Sequence, residues 1–232
     1  MCTVTYIPTH DGFVLSSNRD EVLDRLAEKP KWRRNSGVSL FYPKDPKAEG
    51  TWIAVDNNYQ VACLLNGAFQ KHCSGATYLK SRGQMVLECF HFEDTEEFLK
   101  TYDFTELEPF TLILVRRSGF FEIRWDCKQL HVKNCDPTKA QIWSSVTLYD
   151  PGAQVKRREA FDAWLGRHSE FEDARIAGFH LSTHGLDIEN DILMKRKNGP
   201  NTTSFSQFRK YGNLRVFSYL DIPSMTGQSQ LL

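Results

Sequence analysis

The sequence has little that would direct it to nucleic acid or into a membrane. Its 29 lysines and arginines balance its 29 aspartates and glutamates, so the formal net charge is zero and no overall field attracts a polyanion. No apolar run approaches the roughly 20 residues that span a bilayer. The first residues alternate in polarity instead of forming the basic and apolar regions of a secretory signal. We therefore expect a cytoplasmic protein that has no membrane span and no nucleic-acid partner.

The cysteines lack the spacing of a metal site or a redox motif. They are Cys2, Cys63, Cys73, Cys89, Cys127 and Cys135. No two of them have the Cys-x-x-Cys spacing, and no histidines lie near them at the intervals typical of zinc ligands. Because a secretory signal is also lacking, we predict that most of these thiols are buried and reduced. We expect no metal and no organic cofactor.

The order of predicted elements indicates the fold class. Blocks of strands, helices, strands, one helix and strands follow one another, which is typical of a layered α+β domain. Predicted strands cover residues 3–8, 13–17, 51–55, 60–65, 110–115, 120–125, 130–133, 141–147, 203–208 and 214–220. Capping patterns at residues 81–84 and 94–97 predict two helices, and a third is expected over residues 153–167. With no repeat and no linker, residues 1–232 are predicted to form one domain.

Three stretches are interpreted by composition alone. Residues 29–50, rich in proline and charge, are predicted to be a long surface loop. In the third helix, Val155, Phe161, Trp164 and Leu165 are predicted to form an apolar stripe, and the basic run 156–158 is interpreted as a solvated face. Residues 170–198 give no clear element. The large aromatic residues near these stretches are assigned to the core; they are Trp143, Phe161 and Trp164.

The first two strands bring Cys2 next to the charged residues that end the second strand. An Asp-Gly turn between them predicts an antiparallel hairpin. If the loop is residues 9–12, paired positions sum to 21 and Cys2 faces Arg19; if it is residues 11–12, they sum to 23 and Cys2 faces Glu21. Cross-strand neighbours lie roughly 5 Å apart, so Cys2 is near this segment in either register.

Cys2 has the chemistry of an N-terminal nucleophile if the initiator methionine is removed, which generally requires a small second residue. The freed α-amine has an ordinary pKa of about 7.7–8.0 and can accept the thiol proton near neutrality. Arg19 can stabilise the thiolate or a substrate carboxylate, and Asp20 can orient the amine. Asn66, at the end of strand 60–65, can donate its amide to an oxyanion. The same residues also fit a surface ion pair and a common turn dipeptide.

Several motifs of the sequence occur together in one known family. They are Met1-Cys2, the tetrapeptide Asn-Arg-Asp-Glu at 18–21, Gly50-Thr51-Trp52, and the apolar strand that ends in Asn66. The chain thereby resembles the NRDE family, which includes the transport and Golgi organisation 2 proteins. It is more distantly similar to choloylglycine (bile salt) hydrolases, which are N-terminal nucleophile (Ntn) hydrolases. The resemblance covers residues 1–70 best and the remainder by element order.

The resemblance implies an αββα four-layer sandwich and a set of catalytic roles. Cys2 takes the role of the nucleophile, Arg19 and Asp20 that of its activating pair, and Asn66 that of an oxyanion donor. Two flanking residues of the tetrapeptide, Asn18 and Glu21, are candidates for the pocket.

The chain departs from the hydrolases at one position, and the motifs do not place a second residue of the hydrolases. The hydrolases have another asparagine in the strand before the long helix, where this chain has Ser144 and Ser145. Either a serine donates the second oxyanion contact or that contact is missing. A later catalytic arginine of the hydrolases has two loose candidates, Arg196 and Arg209. His184 is interpreted as a pocket residue or, more simply, as a structural histidine.

The resemblance implies two classes of function. The first is a cysteine hydrolase or acyltransferase that acts on a non-peptide amide or acyl bond of a small molecule such as an N-acyl compound. The second is a carrier, because transport and Golgi organisation relatives are linked to haem or acyl-CoA lipid handling; it predicts binding without turnover. A third interpretation, a structural module on the same fold, predicts an unreactive Cys2.

Overall fold

The structure is a computed structural model that describes residues 3–71, 78–168 and 171–232. In chain order, its strands are β1 (Thr3–Thr9), β2 (Gly12–Glu21), β3 (Glu28–Asn35), β4 (Val38–Lys44), β5 (Ile53–Asp56), β6 (Val61–Asn66), β7 (Phe110–Arg116), β8 (Gly119–Trp125), β9 (Leu130–Asn134), β10 (Gln141–Ser144), β11 (Asn201–Tyr211), β12 (Leu214–Asp221) and β13 (Thr226–Leu231). Its helices are α1 (Arg82–Glu88), α2 (Thr95–Thr101), α3 (Pro151–Gly166) and α4 (Asp173–His180), with a 3₁₀ turn at Cys89–His91. The predicted strand over 141–147 ends early, and β13 has no counterpart in the prediction.

The chain divides into two compact units. The first combines Met1–Asp24 with Pro137–Leu232, and the second is Arg25–Asp136. Each unit contains one antiparallel sheet among the described residues. The interpretation of residues 1–232 as one domain stays a prediction.

The sheet of the first unit has the order β10-β1-β2-β11-β12-β13. Thr3 pairs with Asn18 and Thr9 with Gly12, so paired positions of the first hairpin sum to 21. The first of the two predicted registers is therefore confirmed. On the other side of β2, β11 runs antiparallel, with a register shift between Thr202 and Ser204.

One face of this sheet packs against α3 and α4. The apolar cluster there consists of Ile7, Val14, Ile142, Phe161, Trp164, Ile176, Phe179 and Ile192. Side chains of a strand alternate between faces, so Thr3, Thr5, Asn18 and Asp20 share this helix face. The assignment of Phe161 and Trp164 to the core is confirmed, and Trp143 is also buried.

The basic run of α3 corrects the sequence interpretation. Arg157 is fully buried, whereas Val155, predicted to lie in the apolar stripe, is 56% exposed. The stripe was misplaced because Arg157 points at polar partners beneath the helix instead of at solvent. Asp150 caps this helix by accepting a hydrogen bond from the Ala153 amide at 2.7 Å.

The sheet of the second unit follows the chain, in the order β3-β4-β5-β6-β7-β8-β9. The prediction of a loop over residues 29–50 is wrong, because β3 and β4 form a hairpin there. Ser36 and Gly37 have φ of 45° and 94°, the backbone of a tight hairpin turn. β3 is an edge strand whose charged side chains are mostly exposed, so its composition resembles that of a loop.

The helices of the second unit begin where the capping patterns predict. The Ser81 hydroxyl accepts from the Gly83 amide at 3.2 Å, and Asp94 accepts from the Glu97 amide at 2.8 Å. The start of α1 also touches the Gly50-Thr51-Trp52 motif, since the Thr51 amide donates to the Gly83 carbonyl at 3.0 Å. A Cβ on Gly50 would lie 2.3 Å from the carbonyl carbon of Gly83.

Some features expected from the sequence can be checked for the described ranges only. No helix in residues 3–71, 78–168 or 171–232 is long and apolar enough to cross a membrane. Among the cysteines within those ranges, Cys63, Cys89 and Cys135 are buried thiols and Cys127 is exposed. Burial raises the pKa of Cys89 to about 12. Cys2 and Cys73 lie outside the described residues.

Candidate active site

Asn18, the first residue of the tetrapeptide, is a fully buried hub on the helix face. Its side-chain NH₂ donates to the carbonyl oxygens of His180 and Ile192, at 3.0 and 2.9 Å. Its Oδ1 lies 3.1 Å from Nδ1 of His180, and Nε2 of His180 lies 2.7 Å from the Thr5 hydroxyl. Since Oδ1 can only accept, Nδ1 of His180 carries the proton and Nε2 accepts from Thr5. Asn18 thus ties β2 to α4.

Asp20 lies on the same face, and two hydroxyl groups hold its carboxylate. Tyr149 donates to Oδ2 at 2.8 Å, and Thr202 donates to Oδ1 at 2.6 Å. The Thr202 oxygen in turn accepts from the Met194 amide at 2.9 Å. With 2% of its surface exposed, Asp20 is a fixed hydrogen-bond acceptor at the end of β2.

Arg19 points to the opposite face of the sheet. It is 3% exposed, and its NH1 donates to the Thr203 hydroxyl at 3.3 Å. Tyr219 is on the same face: burial raises the pKa of its hydroxyl, and the positive charge of Arg19 opposes that rise. The adjacent residues Arg19 and Asp20 therefore supply a cation to one face and a carboxylate to the other.

Arg157 links several of these groups from α3. Its guanidinium donates to the Thr3 hydroxyl, to the Ser144 hydroxyl at 3.0 Å, and to the carbonyl oxygens of Asn190 and Asp191 at 2.9 and 2.5 Å. Its Cζ lies 3.9 Å from the centre of the Tyr149 ring, a cation–π distance. The ring hydroxyl of that tyrosine is the one that holds Asp20.

The two serines predicted as oxyanion donors are both engaged with neighbours. Ser144 ends β10 and accepts from Arg157, and Ser145 is buried with its hydroxyl 2.9 Å from that of Thr147. β10 is the neighbour of β1, and Ser144 pairs with Thr3. The structure therefore brings Ser144 next to the start of the chain's first strand.

Asn66 belongs to the second unit, where it ends β6. The loop after it is held firmly: the Gly67 amide donates to the Pro109 carbonyl at 2.9 Å, and Thr111 donates to the Gly67 carbonyl at 2.9 Å. Arg124 adds a hydrogen bond of 2.6 Å to the Ala68 carbonyl. Gly67 has φ of 84°, which a side chain would strain.

The remaining predicted residues have structural partners. Glu21 accepts from the Val22 amide at 3.0 Å. The ring of His184 meets the Phe179 carbonyl at 2.8 Å, as a structural histidine does. Arg196 donates to the carbonyl oxygens of Glu189 and Leu148, and Arg209 forms an ion pair with Asp173 and a hydrogen bond to Ser218. Cys2, the predicted nucleophile, lies outside the described residues.

Sequence reasoning missed the residues that support the tetrapeptide from the helix side. His180, Tyr149, Thr202 and Arg157 come from distant parts of the chain. The one available signal was that Arg157 interrupts the apolar positions of α3, between Ala153 and Phe161, where a solvated residue would not fit.

The fold of the chain is similar to that of several solved hydrolase structures. A mutant of the conjugated bile acid hydrolase from Clostridium perfringens superposes with a TM-score of 0.58 at 10% identity, covering 100% of this chain and 92% of that one. A second variant of that hydrolase gives 0.56 at 11% identity, covering 99% and 92%. An N-acylethanolamine-hydrolyzing acid amidase ortholog from Caenorhabditis elegans gives 0.50 at 12%, covering 89% and 92%. The chain therefore has an α+β fold of the Ntn-hydrolase type, as predicted.

A family model identifies the chain more closely. The model described as transport and Golgi organisation 2 matches residues 1–184. The protein belongs to the transport and Golgi organisation 2 family, which confirms the predicted resemblance. Among curated proteins, none matches the chain.

Proposed function

We propose that the protein is an N-terminal nucleophile hydrolase or acyltransferase, in which Cys2 attacks a non-peptide amide or acyl bond of a small molecule. The observation that carries this proposal is the register of the first hairpin, in which Thr3 pairs with Asn18. Cys2 is bonded to Thr3, and consecutive Cα atoms of a chain lie about 3.8 Å apart, which supports a position for Cys2 near the tetrapeptide.

The register supports different proposed roles for Arg19 and Asp20. If pairing that sums to 21 continued by two residues beyond Thr3 and Asn18, position 2 would face Arg19 and position 1 would face Asp20. In a chain that begins at Cys2, the α-amine then takes the place that faces Asp20. The carboxylate is well prepared to orient that amine, because two hydroxyls already fix it. Arg19 is on the side where the thiol of a continued strand would point.

The proposed reaction needs only this chain and water. The α-amine accepts the thiol proton, and the sulfur attacks the carbonyl carbon of the substrate. As the tetrahedral intermediate collapses, the C–N bond breaks, and the amine passes the proton to the leaving nitrogen. Water then attacks the thioester, its hydroxyl goes to the acyl group and its other proton returns to the sulfur. An acceptor amine or alcohol in place of water gives acyl transfer.

Asn66 is the proposed oxyanion donor. Its loop is fixed by Pro109, Thr111 and Arg124, as preorganised stabilisation requires. Loss of a single oxyanion donor typically lowers kcat by about 10²- to 10³-fold, so Asn66→Ala is expected to lower turnover by that factor. The names of the structural neighbours, a conjugated bile acid hydrolase and an N-acylethanolamine-hydrolyzing amidase, make N-acyl amides the first substrates to test.

The test is brief, limiting alkylation of the native protein followed by peptide-mapped mass spectrometry. It reads whether Met1 is removed and which thiol reacts first. The proposal predicts loss of Met1 and labelling of Cys2 ahead of exposed Cys127, followed by N-acyl turnover that Cys2→Ala abolishes and Cys127→Ala retains. Retention of Met1, or alkylation of Cys2 no faster than that of Cys127, would contradict the mechanism in which the α-amine acts as the base.

A ligand carrier is the second candidate, and one observation favours it. Arg19 and Asp20 point to opposite faces of the sheet, whereas two side chains that activate one thiol together would be expected to point to the same face. On this alternative, the same region binds haem or an acyl-CoA without turnover. A Soret band on titration with haem, in a protein that hydrolyses no N-acyl compound, would support the carrier.

A further inference from the structure

We infer that Arg157 is a positioning residue for the N-terminal site: one buried guanidinium sets the start of β1 and, through Tyr149, the carboxylate of Asp20. The inference rests on the proposed function, because it concerns the reactivity of Cys2. It adds a residue outside the motifs that carry the family resemblance.

The contacts of Arg157 converge on the groups that would surround the nucleophile. Thr3, which accepts a hydrogen bond from the guanidinium, is the residue bonded to Cys2. Ser144, which accepts at 3.0 Å, lies directly across from Thr3 on the neighbouring strand. One side chain thus holds both β1 and β10 at the position next to Cys2.

The second arm of the network reaches Asp20. The guanidinium lies over the ring of Tyr149, 3.9 Å from its centre, and the hydroxyl of that ring donates to Asp20 at 2.8 Å. A second arginine, Arg196, lies 5.9 Å from the same ring centre. Movement of the guanidinium would release the ring and with it a hydroxyl that donates to the Asp20 carboxylate.

The burial of Arg157 shows that this arrangement is built rather than incidental. A fully buried guanidinium loses its hydration and persists only if its donors are satisfied. Here two carbonyl oxygens and two hydroxyls accept hydrogen bonds from it, and all four belong to the first unit. The planar fork of arginine reaches several acceptors at once, which the single ammonium of lysine does not.

The test is the pH dependence of Cys2 alkylation in the full-length protein, read by peptide-mapped mass spectrometry. Arg157→Met is expected to shift the Cys2 profile towards that of an ordinary thiol and to slow labelling at pH 7 by about tenfold, the factor that one lost charge-assisted hydrogen bond produces. Tyr149→Phe keeps the ring and removes only the hydroxyl on Asp20, so it is expected to shift the profile in the same direction. Arg157→Lys keeps the positive charge and is expected to retain part of the wild-type rate of Cys2 labelling.

The matched control is Arg116→Met. Arg116 is also buried and donates to backbone carbonyls, those of Cys89 and Phe92, but it belongs to the second unit. It is expected to destabilise the fold without moving the Cys2 profile. The inference is overturned if wild-type Cys2 is activated and Arg157→Met or Tyr149→Phe gives the same profile as Arg116→Met. If Arg157→Met does not fold, Tyr149→Phe and Arg157→Lys decide. If Cys2 of the wild-type protein reacts like an ordinary thiol, the proposed function is contradicted, and this inference fails with it.

Discussion

At the scale of single residues, the tetrapeptide divides into groups with different tasks. The side-chain NH₂ and Oδ1 of Asn18 form hydrogen bonds with His180 and Ile192, so this amide joins β2 to α4. Asp20 keeps a carboxylate that two hydroxyls orient. Arg19 faces the other side. A motif that reads as one cluster in sequence is therefore a structural anchor beside two separate charged groups.

Replacement of Asn18 tests the anchor. Asn18→Ala leaves two carbonyl oxygens and a ring N–H of His180 buried without this partner, so we expect the free energy of unfolding to fall by about 2–4 kcal/mol. Urea unfolding measures this. Asn198→Ala, at an exposed position of the same unit, is the control and is expected to change the free energy by less than about 0.5 kcal/mol. Equal effects of the two substitutions would contradict the anchoring role.

The buried ring of His180 makes stability depend on pH. Burial, followed by the charges of Arg157 and His184, lowers the pKa of His180 to about 3 from an ordinary 6.5. Between these values the unfolded chain binds a proton that the folded chain does not, so stability falls as the pH falls below 6.5. The contribution of this group approaches about 1.4 kcal/mol per pH unit.

Urea unfolding between pH 7 and pH 5 checks this dependence. His180→Gln is expected to remove that part of the slope, whereas His10→Ala, whose side chain is fully exposed, is expected to keep it. A His180→Gln protein with the wild-type slope would assign the pH dependence to other groups.

At the scale of elements, the contact between α1 and the segment Gly50-Thr51 before β5 depends on the lack of a side chain at Gly50. Gly50→Ala would place a Cβ 2.3 Å from the Gly83 carbonyl carbon, so α1 must shift. We expect a loss of about 1–3 kcal/mol, as for other overpacked sites. Gly166→Ala, at the end of α3 with open space around it, is the control and is expected to be neutral or slightly stabilising. Thermal unfolding of the two variants compares them, and equal melting temperatures would contradict the close approach.

The elements predicted correctly are those whose signals are local. The first hairpin, the helix caps at Ser81 and Asp94, and the strand that ends at Asn66 each follow from a few neighbouring residues, and each is present. Even so, the hairpin register stayed open between two values, because the turn fits either one. Only the pairing of Thr3 with Asn18 decides it.

The elements missed are those whose residues depend on distant partners. β3 lies at the edge of its sheet, so many of its side chains are charged and exposed, as in a surface loop. Its pairing with β4 is what identifies it as a strand. Arg157 lies in a basic run, which is typical of a solvated face. It is buried because Thr3, Ser144 and residues 190–191, which lie elsewhere in the chain, accept its hydrogen bonds. No short-range pattern carries that information, so the helix side of the candidate site could not be predicted from the sequence.

At the scale of the whole molecule, the two units differ in how far apart along the chain their strand partners lie. In the second unit, every strand pairs with a neighbour in chain order. In the first, β2 pairs with β11, and the contact between Arg19 and Thr203 joins residues 184 positions apart. Because closing a long loop costs more entropy, we expect β5–β8 to form before β2 and β11 join.

Pulse-labelled hydrogen exchange during refolding tests this order. Amides of β6 and β7 are expected to gain protection earlier than the amides that join β2 to β11. Simultaneous protection of the two sets, or earlier protection of β11, would contradict it.

The long separation between β2 and β11 has a consequence during synthesis on the ribosome. At typical elongation rates of about 5–20 residues per second, β2 waits roughly 10–40 s before β11 emerges. During that interval, the central strand of the first sheet has one finished neighbour at most and presents an open backbone edge. Until β11 emerges, the open edge of β2 can therefore pair with a wrong strand. Chaperone binding to residues 12–21 before release would protect this segment, which carries the candidate site.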